Sequence, residues 1–202
     1  MIDWAELHRL NRTWRAWMDN HSAFVTPETI DSLRYAAGEA REARMELSAI
    51  AAELLIRYLV EVAPVNTVEI LRIMDSHAHE SRDLWMRERL PSHARNHPRA
   101  NKIRQELAQV VMLALTALDG VDMGKIVPAH EIDLDYICDT ANQAITDYGA
   151  FLTGWCWTVH HLLAAVAAYP GVDVAADLRE CWSRLAWKHA SRDMGLYPKE
   201  LI

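Results

Sequence analysis

Apolar residues recur every three or four positions through most of the chain, which is the spacing of one face of an α-helix. In the first such segment they are Trp4, Leu7, Leu10, Trp14 and Trp17. The few glycines and prolines fall between these segments, and β-branched residues form only short clusters. The pattern predicts an all-α helical bundle whose first helix runs from Asp3 to Asp19.

Caps and helix breakers divide the remainder of the chain into six further helices. Their predicted spans are Thr26 to just before Pro64, Asn66 or Thr67 to Leu90, Arg99 to Asp119-Gly120, Asp133 to Gly149, Ala150 to Tyr169, and Asp173 to near Gly195. Thr26 is expected to be an N-cap with Pro27 in the first turn. The segment from Pro91 to Pro98 is predicted to be a polar connection.

Pro128 marks a boundary between two parts of the chain. Residues 1–127 are predicted to form the helical core, and residues 128–202 to complete the bundle. The segments Leu113–Val127 and Leu162–Leu178 each contain an apolar helix, a break and a Gly-Val-Asp. The second part is therefore either a degenerate repeat of the first or an unrelated set of helices.

Composition and charge exclude several classes of protein. About half of the residues are apolar, which indicates a globular chain, and the net charge of −7 argues against a basic nucleic-acid-binding surface. The longest uncharged run, Ala150 to Tyr169, contains two histidines and lacks basic anchors, so a buried core helix is predicted there and no membrane partner. The first residues carry acids and no signal-peptide core, and the three cysteines show no disulfide pattern. These features predict a cytoplasmic protein.

Three glutamates line one face of the second predicted helix. Glu39, Glu42 and Glu46 are three and four residues apart, and none has an Arg or Lys three or four positions away. Like charges stacked in this way cost free energy unless a cation neutralises them. The pattern indicates a divalent metal site.

A second acidic position, Glu106, lies in the apolar helix that follows, with Gln109 on the same face. Lys102 lies four residues before Glu106, so when Glu106 is taken alone an exposed ion pair worth a few tenths of a kcal/mol is the better explanation of it.

Together these segments resemble the MazG-like all-α nucleoside triphosphate pyrophosphohydrolases, which include dCTP pyrophosphatases and dimeric dUTPases. That family carries Glu-x-x-Glu on one helix and Glu-x-x-Asp on a facing helix. The stretch Gly38–Ala43 (GEAREA) resembles the first motif, and Glu106–Val111 (ELAQVV) resembles the second. Trp17, Phe24 and Pro27 are similar to the aromatic-then-Pro lead-in of the family, and Lys188, Arg192 and Tyr197-Pro198 to its closing helix end.

The resemblance implies a MazG-like core with additional helices, and metal-dependent hydrolysis of an NTP or dNTP to the monophosphate and pyrophosphate. It implies that Mg²⁺ or Mn²⁺ is held by Glu39, Glu42, Glu106 and Gln109, with Glu46 as a ligand or water-orienting base. It also implies that Lys188 and Arg192 contact phosphate and that Trp14, Trp17 or Phe24 stacks on the base. The expected substrate is a nucleoside triphosphate, and the expected assembly is a homo-oligomer, a dimer or a tetramer. If residues 128–202 are a repeat, Trp155 and Thr158 would lie near the lost ligand positions.

Two features depart from the family pattern. Gln109 stands where the family has a metal-binding Asp, and a neutral amide is a poorer Mg²⁺ ligand than a carboxylate. The connection between the two motifs is also longer, because it contains a complete extra helix. A nucleotide-binding protein without hydrolytic activity and an unrelated helical binding or regulatory protein therefore remain open alternatives.

The histidines offer a rival metal site. His93 and His97 are four residues apart and could share a zinc or iron ion on a helix, although Pro91 and Pro98 crowd that segment. His77 and His79 point to different sides of a helix and could not share one.

Overall fold

The structure is a computed structural model that describes residues 2–21, 26–62, 97–121, 123, 126, 132–150, 154–189 and 198–201. Within these residues the chain forms α-helices and one short 3-10 helix, and no strand. The helices are α1 (Trp4–His21), α2 (Thr29–Val62), α3 (Ala100–Ala117), α4 (Leu134–Gly149), α5 (Trp155–Ala168) and α6 (Val174–His189), followed by the 3-10 helix Lys199–Leu201. The prediction of an all-α protein is confirmed.

Local capping chemistry sets several of the helix ends. The Asp133 carboxylate accepts a bond from the backbone N–H of Tyr136 at 2.8 Å, and Asp173 accepts one from Ala176 at 3.1 Å. Such N-caps satisfy backbone donors that the first helical turn leaves free. At the C-terminal side of α3, Gly120 has φ +78°, a left-handed conformation that glycine adopts without strain. These three predicted boundaries are confirmed.

Other boundaries differ from the prediction. Helix α2 begins at Thr29, and the Thr26 hydroxyl donates to Asp19 at 3.0 Å instead of capping the helix. Helix α5 begins at Trp155, five residues later than expected. The predicted helix from Asn66 or Thr67 to Leu90, and residues 91–96 of the polar connection, lie outside the described residues.

Helices α2, α3, α4 and α5 form a four-helix arrangement in which α2 and α5 each contact both α3 and α4. Helices α1 and α6 pack on the outside of α3. Buried residues from both sides of Pro128 belong to the same hydrophobic core. A degenerate repeat in residues 128–202 stays a prediction.

The long uncharged segment is part of this core. Val159, Leu162 and Leu163 of α5 are fully buried against neighbouring helices. Among the described residues, none of the helices has both the length and the apolar character that a membrane crossing requires.

Small residues bring α2 close to α3. Ala36, Ala37, Ala40 and Ala43 are all buried along one side of α2. Because alanine side chains occupy little space, the two helices approach closely and their polar side chains meet at the edge of the contact. This approach positions the glutamates of α2 opposite those of α3.

A neutral polar network joins α1, α3 and α6. The Asn11 amide donates to the Thr116 hydroxyl at 3.1 Å and to the Met112 carbonyl at 3.3 Å, and its oxygen accepts from the Trp182 indole at 3.0 Å. All the polar atoms of the Asn11 amide thus have partners, which offsets the cost of burying them. The network fixes the position of the outer helices on α3.

Candidate metal centre

Helices α2 and α3 run antiparallel, and their register determines which side chains face each other. Glu46 contacts Lys102 near the start of α3, whereas Glu39 contacts Gln109 two turns further along α3. As the residue number falls along α2, the number of the facing residue on α3 therefore rises. The two motifs identified in the sequence lie side by side as a result.

Three carboxylates converge at this contact. One oxygen each of Glu39, Glu42 and Glu106 lie within 4.8 Å of one another. Glu39 and Glu106 are half-buried, and Glu42 is exposed. We call these three residues the acidic cluster.

Gln109 lies between two members of the acidic cluster. Its Nε2 donates to Glu39 Oε2 at 2.7 Å and to Glu106 Oε2 at 2.6 Å. The amide thus provides partial positive charge where two negative groups meet. If the amide turned over, its Oε1 would face the same point, and amide oxygens are ordinary ligands of hard cations.

The surroundings of Glu39 favour its protonated form. Burial, the hydrogen bond to Glu106 and the negative charges of Glu106 and Glu42 raise the pKa of Glu39 to about 7 from an ordinary value of 4.5. Arg184 opposes this shift. The acidic cluster therefore holds more negative charge than its surroundings stabilise, which is the electrostatic condition for binding a cation.

Glu46 lies outside the acidic cluster, although sequence reasoning grouped it with Glu39 and Glu42. Its carboxylate pairs with Lys102 at 3.1 Å and with Arg99 at 3.5 Å. The expected local pair between Lys102 and Glu106 is replaced by this contact between helices. The role of Glu46 as a ligand or base stays a prediction.

Arg184 of α6 is a neighbour of the cluster that sequence reasoning missed. Its Nη1 donates to Gln105 at 3.3 Å, while its buried Nε and Nη2 lack a hydrogen-bond partner among the described residues. Arg184 lies four residues before the predicted phosphate contact Lys188, so helical spacing could have indicated it.

Burial raises the pKa of the nearby Cys181 thiol to about 12, so this cysteine is not an activated nucleophile.

A cavity of about 530 Å³ adjoins the acidic cluster, because Glu39 and Gln109 form part of its wall. Most of the remaining wall is apolar. The apolar lining residues are Trp14, Met18, Pro27, Met112, Leu113 and Leu185. This volume lies within the range of small-molecule sites, and such sites are commonly apolar with a few polar groups.

The polar groups of the cavity are unevenly distributed. Four of them, Thr26, Glu28, Asp31 and Tyr35, come from the start of α2 and the residues just before it. No Lys or Arg is among the described residues that line the cavity. The cavity therefore differs from a phosphate-binding pocket.

The other predicted site residues are placed away from the acidic cluster or cannot be placed. Trp17 is 8% exposed and stacks on His21 with ring centroids 5.0 Å apart; Trp14, not Trp17, lines the cavity. Lys188 is exposed, and among the described residues no ion pair joins it to the cluster. Phe24, Arg192 and His93 lie outside the described residues, and His97 contacts Glu53 at 3.3 Å.

The donor set of the acidic cluster fits a hard divalent cation. Three carboxylates and the amide of Gln109 offer oxygen ligands only, which suits Mg²⁺ or Mn²⁺ better than a soft metal.

Comparison of the chain with protein-family models, curated proteins and solved structures yields no match.

Proposed function

We propose that this chain is a metal-dependent hydrolase that converts a nucleoside triphosphate into the monophosphate and pyrophosphate. The observation that carries the proposal is the convergence of Glu39, Glu42 and Glu106 beside a mostly apolar cavity whose wall includes Glu39. The likeness of GEAREA and ELAQVV to the two MazG-like motifs points to the same chemistry.

The order of features along α2 and α3 suits an extended nucleotide. The cavity lies towards the start of α2, the acidic cluster is near its middle, and the basic pair Arg99 and Lys102 lies beside Glu46 further along. Glu39 and Glu46 are seven residues apart, which corresponds to about 10 Å of helix rise. A base in the cavity would therefore leave its phosphates running from the acidic cluster towards cationic side chains.

The proposed reaction is attack of water on the α-phosphorus. The water oxygen forms a bond to the α-phosphorus and loses a proton to solvent, the bond from the α-phosphorus to the bridging oxygen breaks, and pyrophosphate leaves with that oxygen. Glu39, Glu42 and Glu106, with Gln109, would hold the cation, and Arg99 and Lys102 would contact the departing phosphates. A divalent cation bound here would offset phosphate charge and lower the pKa of water.

A second candidate function is nucleotide binding without hydrolysis. The specific observation in its favour is that Gln109 donates hydrogen bonds to both Glu39 and Glu106. These bonds partly neutralise the cluster without a metal, and the amide supplies a weaker ligand than the family's Asp. A homo-oligomer and a cytoplasmic location form part of both versions of the proposal.

The deciding experiment measures pyrophosphate release from a panel of NTPs and dNTPs with Mg²⁺ and then with Mn²⁺. We expect release from at least one substrate and its loss on adding chelator. Metal-dependent thermal stabilisation without release would favour the binding protein. If neither pyrophosphate release nor metal-dependent thermal stabilisation is observed, the chain is an unrelated helical protein and the proposal is rejected.

A further inference from the structure

The polar end of the cavity indicates which base a bound nucleotide would carry, a property that the proposed function does not specify. Asp31 and Glu28 contribute carboxylates to this end, and both lie in or just before the first turn of α2. Ionised carboxylates accept hydrogen bonds and donate none. A ligand that fills the cavity must therefore present hydrogen-bond donors at this end.

The distance between the two ends of the site fits a nucleoside. Asp31 and Glu39 are eight residues apart on the same helix, which corresponds to about 12 Å. This is close to the reach of a nucleoside monophosphate from the edge of its base to its phosphate. With the α-phosphate at the acidic cluster, the edge of the base meets Asp31.

The cavity wall also suits a flat ring. Tyr35 contributes an exposed aromatic side chain, and Met112 and Leu113 contribute apolar surface, whereas Trp14 and Met18 are only 1% and 0% exposed and support the wall from within the core. Aromatic stacking binds all bases with little discrimination. The choice among bases must then come from the polar groups. Asp31 is the carboxylate of the polar end that lies within α2, on the face that also carries Tyr35 and Glu39, whereas Glu28 precedes the helix.

The hydrogen-bonding edges of the bases differ in a way that Asp31 can distinguish. Cytosine, adenine and guanine carry an exocyclic amino donor, whereas uracil and thymine place carbonyl acceptors on both sides of a single N–H. A carboxylate accepts from an amino group and repels a carbonyl oxygen. One oxygen of Asp31 accepts from Arg34 at 3.1 Å, and a carboxylate retains further lone pairs for a ligand.

We infer that the cavity selects nucleotides whose base carries an exocyclic amino group, and that Asp31 determines this selection. The inference rests on the proposed function for its placement of the phosphates. The inference adds to the proposed function the class of substrate and the residue that recognises its base. Thr26 contributes less, because its hydroxyl donates to Asp19.

The test measures binding of free nucleosides by equilibrium dialysis in the presence of chelator, so that neither metal nor turnover is required. Cytidine and uridine form the main pair because they share one sugar and differ at the base. We expect cytidine, adenosine and guanosine to bind at least about tenfold more tightly than uridine and thymidine. In Asp31→Asn, whose amide can donate to a carbonyl, the ratio of cytidine to uridine affinity should fall at least about tenfold.

Two control variants separate this effect from a change in helix stability. Glu6→Gln removes an exposed i,i+3 pair with Arg9 on α1 that matches the pair between Asp31 and Arg34. Arg34→Gln breaks the pair of Asp31 itself and leaves the carboxylate in place. Both controls should keep the preference for amino-bearing bases.

Equal binding of uridine and cytidine, or an unchanged preference in Asp31→Asn, would overturn the inference. Absence of binding by every nucleoside would overturn it as well. Pyrophosphate release in the substrate panel remains a separate measurement, so a protein that hydrolyses nucleotides without this preference would disprove the selection and leave the proposed function standing.

Discussion

Residues of α3 belong to two groups of polar side chains that differ in whether their hydrogen bonds and charges are balanced within the fold. Around Asn11, two α3 residues, Met112 and Thr116, belong to a buried neutral network whose hydrogen bonds are satisfied within the fold. About two turns earlier, Glu106 belongs to the acidic cluster of three carboxylates, and the Gln109 amide donates to two of them. The first group is complete as it stands, whereas the second has an excess of negative charge that a cation would offset in the proposed function. The contrast separates polar residues that maintain the fold from polar residues that are proposed to bind a ligand.

The largest expected effect comes from Glu39→Gln, which removes one carboxylate of the acidic cluster. Metal-dependent turnover should fall by at least about 100-fold, because losing roughly 3 kcal/mol of charged interaction in the transition state corresponds to that factor. Helix content should not change, and the unliganded protein should be at least as stable at pH 7.5 because like-charge repulsion decreases. Retained turnover would show that the chemistry takes place elsewhere.

Asn11→Ala tests the other half of the comparison. It deprives the Trp182 indole and the Thr116 hydroxyl of a buried partner, so the free energy of unfolding should decrease by about 2–3 kcal/mol. Denaturant titration measures this value. The matched control is Asn20→Ala, whose exposed amide donates to the Ala16 carbonyl of its own helix, and which should cost less than about 0.5 kcal/mol. A small loss in Asn11→Ala would mean that the network is not structural.

Gln109→Asp should convert the acidic cluster into four carboxylates. Mg²⁺ affinity should increase about tenfold, equivalent to about 1.4 kcal/mol, because a carboxylate binds the ion better than an amide. Without metal the variant should be less stable than the parent. Gln143→Asp, which also places an acid beside an existing acid, Asp147, is the control and should not gain affinity. Weaker Mg²⁺ binding in Gln109→Asp would show that Gln109 does not belong to the metal site.

The pH dependence of stability should show the smallest effect. Between pH 4.5 and about 7 the folded protein retains the Glu39 proton that the unfolded chain releases, so the free energy of unfolding should fall as pH rises through this window. The full shift would amount to roughly 3 kcal/mol, and solvent screening of the half-buried group reduces it to about 1 kcal/mol. The measurement is the difference between parent and Glu39→Gln, which lacks this titration. Parallel profiles would show that Glu39 titrates normally.

Sequence predicts the parts of this fold that depend on neighbours in the chain. Gly120, Asp133 and Asp173 act within one turn, so their positions mark the ends of α3, α4 and α6 directly. The apolar spacing of α1 predicts a helix but cannot distinguish Trp14 from Trp17, since both lie on its buried side. The packing of α1 on α3, a contact between distant parts of the chain, brings Trp14 to the cavity.

The candidate site depends more strongly on contacts between distant residues. Glu46 has no basic neighbour in its own helix, and its pairing with Lys102 spans 56 positions of the chain. The grouping of Glu39 and Glu42 with Glu106 was suggested by the family resemblance and not by spacing. The cavity and Asp31 were not predicted, because neither leaves a periodic signature. Arg184 was missed although its spacing from Lys188 on the last helix could have indicated it.

Glu39 and Gln109 each belong to two places at once, the acidic cluster and the cavity wall. A molecule entering the cavity therefore meets side chains that a cation also needs. Thermodynamic linkage makes this dependence reciprocal: if a cavity ligand strengthens cation binding by some factor, the cation strengthens binding of that ligand by the same factor. If the coupling in the proposed site is favourable, the nucleotide and the cation would each reach full affinity only when the other is bound.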